Sequence, residues 1–246
     1  MIITDDSVDV EGIRKIPLYV EWRGKRVRIS KLRRNSYFFS IKNVAVELPT
    51  FSEIKDILVQ AIKEDGKVEV VIPSWPVSFL ERPIKLVSAI VDGVHLKKTK
   101  MDNVTLSYVL KRNDVDPKKM KEILERSRTY LLFSDISFLR KNGVLSEENS
   151  KMILTKSFNL VRYAKGRTSL KPTWSTKGAI AVMMKEIHEK HFTVDIRHSG
   201  RSRMANAVAS SFLSNFKCKV SMGWMNPIAA SQYGHNTVSV TVIPEV

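Results

Sequence analysis

The side chains best suited to chemistry crowd into one stretch, from His188 to Cys218. His188, Glu189 and His191 supply two imidazoles and a carboxylate. Two histidines on a helix share a zinc ion when they stand four residues apart with a glutamate between them as base, and here the spacing is three. No cysteine or further carboxylate is placed to complete a tetrahedral set, so no metal is expected. Arg197, Arg201 and Arg203 surround Gly200 just before a predicted helix. Backbone N–H groups at a helix start, with arginines and a glycine beside them, make a cradle for phosphate. Asp195 and His198 flank that cradle, and would act as acid and base in a nuclease or phosphotransferase. Cys218 sits between Lys217 and Lys219 on a predicted strand, where a lone thiol reads as a small core residue. The sequence contains no P-loop, dinucleotide fingerprint or GxSxG elbow.

The run HSGRSRMANAV, residues 198–208, resembles the phosphate loop of arsenate reductases and low-molecular-weight tyrosine phosphatases, in which a cysteine is followed after five residues by Arg-Ser and a Met-Ala pair. The resemblance is confined to this short run and implies phosphate binding. Asp195 stands where that family places its attacking thiolate, so the covalent chemistry of the loop does not carry over.

Two further basic groups accompany the loop. Arg23, Lys25, Arg26, Arg28, Lys31, Arg33 and Arg34 run into Tyr37, Phe38 and Phe39. On an alternating strand Arg26 and Arg28 share one face, so cations line one side of a hairpin, with Tyr37 placed to stack on a base. The alternative is an edge strand protected by charge over a core of phenylalanines. Tyr163, Lys165, Arg167, Lys171 and Trp174 form the second group, read as a nucleic-acid contact loop. Its alternative is a helix C-terminus with cations on the negative end of the dipole and Trp174 in the core.

The elements that must hold these groups follow from pattern. Leu18–Trp22 and Lys25–Ile29 flank Arg23-Gly24 as a hairpin, and 43–48 alternates as a further strand. Thr50 and Glu53 form a capping-box pair opening a helix that Gly66 ends, with Ile54, Ile57, Leu58, Ala61 and Ile62 as its apolar stripe. Strands are predicted over 68–72, 84–96 and 104–111. Asp116-Pro117 opens a second helical region, with helices over 130–141, 146–164, 176–191 and 202–216, a loop over 166–175, and short strands near 192–196, 217–222 and 237–243. The expected class is α+β, with a strand-rich lobe (1–114) holding one packed helix and a helical, basic lobe (115–246), or a single domain containing both.

Composition sets the frame. The chain has 246 residues, 43% of them hydrophobic and 27% charged, with a net charge of +16, which suits a globular protein with a real core. Residues 149–244 hold fourteen Lys and Arg against Glu186, Glu189 and Asp195, a surplus of eleven. One cysteine excludes an internal disulfide, and the acidic start and short apolar runs lack a secretory leader or membrane span, so an intracellular protein, cytoplasmic or nuclear, is expected. A one-signed stretch of this length points to a polyanion. The expected function is therefore non-enzymatic, sequence-independent binding of RNA or another nucleic acid, without a cofactor. In general style the chain is similar to the nucleocapsid, matrix and movement proteins of RNA viruses. An anionic membrane surface is the alternative partner, a phosphate-cleaving or phosphate-transferring enzyme the alternative activity, and self-association is left open.

Overall fold

The computed structural model describes residues 1–22, 24–32, 46–75, 79–112, 116–133, 139 and 158–245, and every structural statement below concerns these. Apolar runs β1 (Ile2–Asp5) and β6 (Val68–Ile72) lie at the centre of a parallel sheet. Its outer strands are β2 (Arg14–Ile16) and β7 (Val94–Lys98), in the order β2-β1-β6-β7. Parallel neighbours need crossovers; helices precede β6 and β7, whereas the loop over residues 6–13 alone joins β1 to β2. Helix α1 (Phe51–Asp65) precedes β6 and buries Ile54, Leu58 and Ala61. Its start is the expected capping box. Thr50 Oγ1 accepts the Glu53 N–H at 3.2 Å, the Glu53 carboxylate accepts the Thr50 N–H at 2.6 Å, and Gly66 (φ 71°) ends the helix in the left-handed region. The expected hairpin also forms, from β3 (Tyr19–Trp22) and β4 (Lys25–Arg28), with β5 (Val46–Glu47) on the other side of β3.

One predicted strand is helical in part and another in all but its last residue. Residues 84–96 divide into α2 (Glu81–Ser88) and β7, parted at Gly93 (φ 85°). Residues 104–111 belong to α3 (Asn103–Leu110), because the Asp102 carboxylate accepts the N–H groups of Val104 (2.8 Å) and Thr105 (3.1 Å) and starts the helix there. Asp102 also accepts the hydroxyls of Thr105 (2.6 Å) and Thr129 (2.9 Å). Burial pushes its pKa up against those bonds. Helix α4 (Pro117–Arg126) begins at Asp116-Pro117 as the sequence indicates.

A six-stranded sheet occupies the second half, in the order β10-β9-β8-β13-β11-β12. The strands are β8 (Arg128–Phe133), β9 (Phe158–Ala164), β10 (Arg167–Thr173), β11 (Phe192–His198), β12 (Lys219–Trp224) and β13 (Val238–Pro244). All pairs are antiparallel except β11 with β12. The helices predicted over 130–141 and 146–164 are thereby corrected in their described parts, which are β8 and β9; the remainder lies outside the described residues apart from Leu139. The loop predicted over 166–175 is strand β10. It is joined to β9 through Lys165 and Gly166, both at positive φ (54° and 78°), the backbone of a tight hairpin. The α+β class stands.

Alternation along β11 divides this sheet into two chemically different faces. Val194 and Ile196 point into a core with Val238, Val240 and Val242, covered by α5 (Thr176–Glu186) and α6 (Ser202–Asn215) through Met183, Val208 and Phe212. On the opposite face Leu131, Phe133, Val161 and Tyr163 join the core of the first half, together with α7 (Pro227–Tyr233). No helix among the described residues is long and apolar enough to cross a membrane.

Candidate ligand-binding site

A cavity of about 460 Å³ lies between the second face of the six-stranded sheet and the first half of the chain. That volume falls within the roughly 300–1,000 Å³ of ordinary small-ligand pockets. One wall is strand β11 and its neighbours, which present Thr193, Asp195 and Arg197, with Lys219 and Ser221 of β12 beside them. The other wall is α3, through Asn103, Ser107, Tyr108 and Lys111, and the loop after β1.

The loop is positioned from three sides. Asp6, whose side chain is fully buried, accepts the Arg28 guanidinium at 2.9 and 3.0 Å and the Leu18 N–H at 3.1 Å. Its carbonyl accepts the Asn226 amide at 3.1 Å, and Asn226 in turn caps α7 by accepting the Ile228 N–H at 2.9 Å. From α3, Asn103 donates to the Ser7 carbonyl at 3.1 Å and Ser107 to that of Asp9. Asp5 is buried with Ser7 as donor, and burial pushes its pKa up. A loop at the carboxyl end of a parallel strand, held this firmly, is the customary site of a ligand in open α/β sheets. Sequence reasoning passed over this loop; its signal is the Asp5-Asp6-Ser7 run that follows Ile2-Ile3-Thr4.

The cavity has two ends. From Thr193 to His198 the strand advances about 17 Å. Near Thr193, Ile243 of β13 packs with Leu106 and Val109 of α3, and Tyr108 packs against the same cluster. The Tyr108 and Thr193 hydroxyl oxygens are both buried and find no hydrogen-bond partner in the protein. Lys111, one helical turn from Tyr108, adds positive charge there, while Lys219, paired in register with Thr193, is largely exposed and stands 3.8 Å from Glu245 at the rim. At the other end Trp224, Met225, Ala229 and Tyr233 meet Ile29 and Leu32 in an apolar surface. One end suits an anionic, hydrogen-bonding head and the other a hydrocarbon tail.

The basic residues singled out in the sequence do not converge. Arg26 is held by Glu53 (3.0 and 3.1 Å) and Glu47 and lies 3.7 Å over the Tyr19 ring, while Arg28 is bound to buried Asp6. Lys25 and Lys31 are exposed on this small sheet and the short turn after it. Arg23, Arg33, Arg34 and Tyr37 lie outside the described residues, as do Phe38 and Phe39. Lys171 pairs with Glu186, which also binds Arg162 at 2.9 Å and accepts the Tyr130 hydroxyl. Lys165 and Arg167 are in the hairpin turn and strand, and Trp174 is exposed beyond it. Arg197 faces the cavity, bound to Asp195 by two bonds of 2.6 Å, whereas Arg201 and Arg203 lie at the start of α6. Strand and helix do flank residues 199–201 as the phosphate-loop resemblance implies. A β-carbon on Gly200 (φ 111°), however, would come within 2.7 Å of the His235 ring, so that ring closes over the loop. Asp195 is held by Arg197 and also accepts the Ser221 hydroxyl at 2.7 Å, while the His198 ring packs on Trp224, so the two do not form an acid–base pair. Among the described residues no cluster of three metal-binding side chains occurs.

This α+β arrangement matches the fold of the DegV proteins. In structural comparison the chain matches a DegV family protein from Thermus thermophilus, described for its fatty acid binding, with a TM-score of 0.80 and 16% identity over 100% of this chain and 99% of that one. It matches DegV from Bacillus subtilis, described as a fatty acid binding protein, with a TM-score of 0.78 and 15% identity over 99% and 98% of the two chains. A protein from Thermotoga maritima whose structure reveals fatty acid binding function gives a TM-score of 0.74 and 17% identity over 99% and 98%. No protein-family model and no curated protein matches the sequence. These neighbours overturn the expectation of a nucleic-acid-binding protein in the style of viral nucleocapsid, matrix or movement proteins, and with it the nucleic-acid partner. The physical reason lies in the placement of the cations. Those expected to share one surface are divided between the small hairpin sheet, the cavity and the start of α6, and several are neutralised by acids within the fold.

Proposed function

We propose that this protein binds a long-chain fatty acid, or a closely related anionic amphiphile, in the slot between α3 and β11–β12 and holds it without transforming it. The carrying observation is the pair of partnerless hydroxyls, Tyr108 and Thr193, at the cationic end of a cavity whose other end is apolar. A buried hydroxyl without a partner costs about 1–3 kcal/mol, and an anionic head accepting from both would remove that cost. Each methylene buried along Met225 and Ala229 adds about 0.8 kcal/mol. The halves divided near position 114 then act as two sides of one carrier working inside the cell. The fatty acid binding described for the DegV neighbours supports the same reading.

The test is titration of delipidated protein with palmitate, oleate and the corresponding alcohols, read by native mass spectrometry and by displacement of a fluorescent fatty acid. One acid per chain is expected, with the alcohol at least tenfold weaker. Equal affinity for acid and alcohol, or no uptake of either, would overturn the proposal.

A further inference from the structure

Trp174 is 83% exposed, the highest value among the described large apolar side chains. It directly precedes Ser175, the cap of α5, whose hydroxyl accepts the Gly178 N–H at 3.1 Å. Thr176 of α5 touches Met204 of α6 at 3.9 Å, so the two helices start side by side at this tryptophan. Neither first turn contains an acid, although helix starts favour one; Lys177 and Arg203 stand there instead, both exposed. Beyond Arg203, α6 carries no charge at all, and Ala207, Ser210 and Leu213 are exposed along it, Leu213 at 61%. The acids between β9 and β12 are engaged elsewhere: Glu186 with Arg162 and Lys171, Glu189 with Arg128, Asp195 with Arg197. The outer face of the helix pair thus has an uncharged centre, an aromatic anchor and a purely cationic rim.

That distribution is the anatomy of a protein interface, in which charge is depleted at the core and Trp and Arg are enriched. A polyanion or a headgroup surface calls for cations at the centre of contact, where α6 has none. We propose that this face docks an acidic protein, one presenting a helix with glutamates or aspartates around an apolar recess that receives Trp174. The rim selects the sign of the partner, and Trp174 and Leu213 supply the buried contact. The face is on the opposite side of the six-stranded sheet from the cavity, so docking leaves the slot free.

The probe is a synthetic amphipathic helix with glutamates bordering a leucine–phenylalanine stripe, set beside a lysine version of equal hydrophobicity, phosphatidylglycerol vesicles and single-stranded RNA. The glutamate peptide is expected to bind and to shield Trp174 from acrylamide quenching. Trp174→Ala and the Lys177→Glu/Arg203→Glu pair should each weaken it at least about tenfold, as loss of an interface hot spot does. Circular dichroism and unchanged fatty acid affinity would show that the variants remain folded. Equal binding of the lysine peptide, insensitivity to both variants, or preferential binding of vesicles or RNA at this face would overturn the proposal.

Discussion

Tyr108→Phe and Thr193→Val, made singly and together, should move stability and ligand affinity in opposite directions. In the free protein both hydroxyl oxygens are buried without a partner. Phenylalanine keeps the ring over which Arg112 lies at 4.7 Å, and valine keeps the branched shape that suits β11. Each substitution therefore removes a desolvated polar atom and little else, and delipidated variants should be as stable as the parent or gain up to about 3 kcal/mol in urea unfolding. With an anionic head bound, each hydroxyl would donate to a charged acceptor, a bond of about 1.5–3 kcal/mol. Its loss raises Kd for palmitate roughly tenfold to 150-fold. Because both hydroxyls serve one head group, the double variant should fall short of the sum. Displacement of a fluorescent fatty acid reads the affinity, and unfolding of the same preparations reads the stability. A stability loss above about 1 kcal/mol in either single variant would mean that its hydroxyl has a partner after all, and an unchanged Kd in both would place the head group elsewhere.

Other consequences concern the framework. Glu53 is held at a pKa of about 2, against an ordinary 4.5, by the Arg26 hydrogen bonds and the Thr50 N–H. Its folded value lies below its unfolded one, so its contribution is full above about pH 4.5 and is lost as pH falls toward 2; acid unfolding of Glu53→Gln should show a shallower slope in that window. His198 behaves oppositely to a histidine that gains a partner. Burial holds it below its ordinary 6.5, so the unfolded chain takes the proton first and stability declines as pH drops from about 6.5 through the folded value; His198→Phe, which keeps a ring against Trp224, should flatten that decline. Asp102→Ala removes the cap of α3 and leaves the Thr105 hydroxyl unpaired, while Thr129 keeps Thr241 at 3.1 Å, and should cost about 2 kcal/mol or more in urea unfolding, with Asp102→Asn losing less.

What could be read in the sequence was what depends on near neighbours. The capping box of α1, the hairpin turn at Gly24 and the proline start of α4 are each fixed within a few residues, and all three form. Period failed where burial surrounds an element. Helix α3 buries Asn103, Thr105, Leu106, Ser107 and Val109, so no polar stripe reveals its turn, and Val104, Leu106, Tyr108 and Leu110 read as strand alternation. In α2 the reverse holds: Leu86 is 54% exposed, so apolar residues do not mark the inner face. Strand β10 was hidden by Gly166 and Pro172, which an edge strand tolerates. The slot itself was out of reach, because Tyr108 and Thr193 come to line one cavity only through the stacking of α3 on the sheet, and no local pattern records that. The cations misled for a related reason: sequence counts charges but does not say that Asp6 and Glu53 reach across to Arg28 and Arg26.

Strand β13 lies between β8 and β11, in the middle of its sheet, although it follows every other strand of that sheet in sequence. During synthesis β8 and β11 must therefore each wait with an open flank until residues 238–244 arrive to join them. Contacts of such long sequence separation are slow to form, and a nascent chain in this state is vulnerable to pairing with the wrong strand. Isolation of the protein without its final seven-residue strand should give aggregates instead of a smaller soluble core.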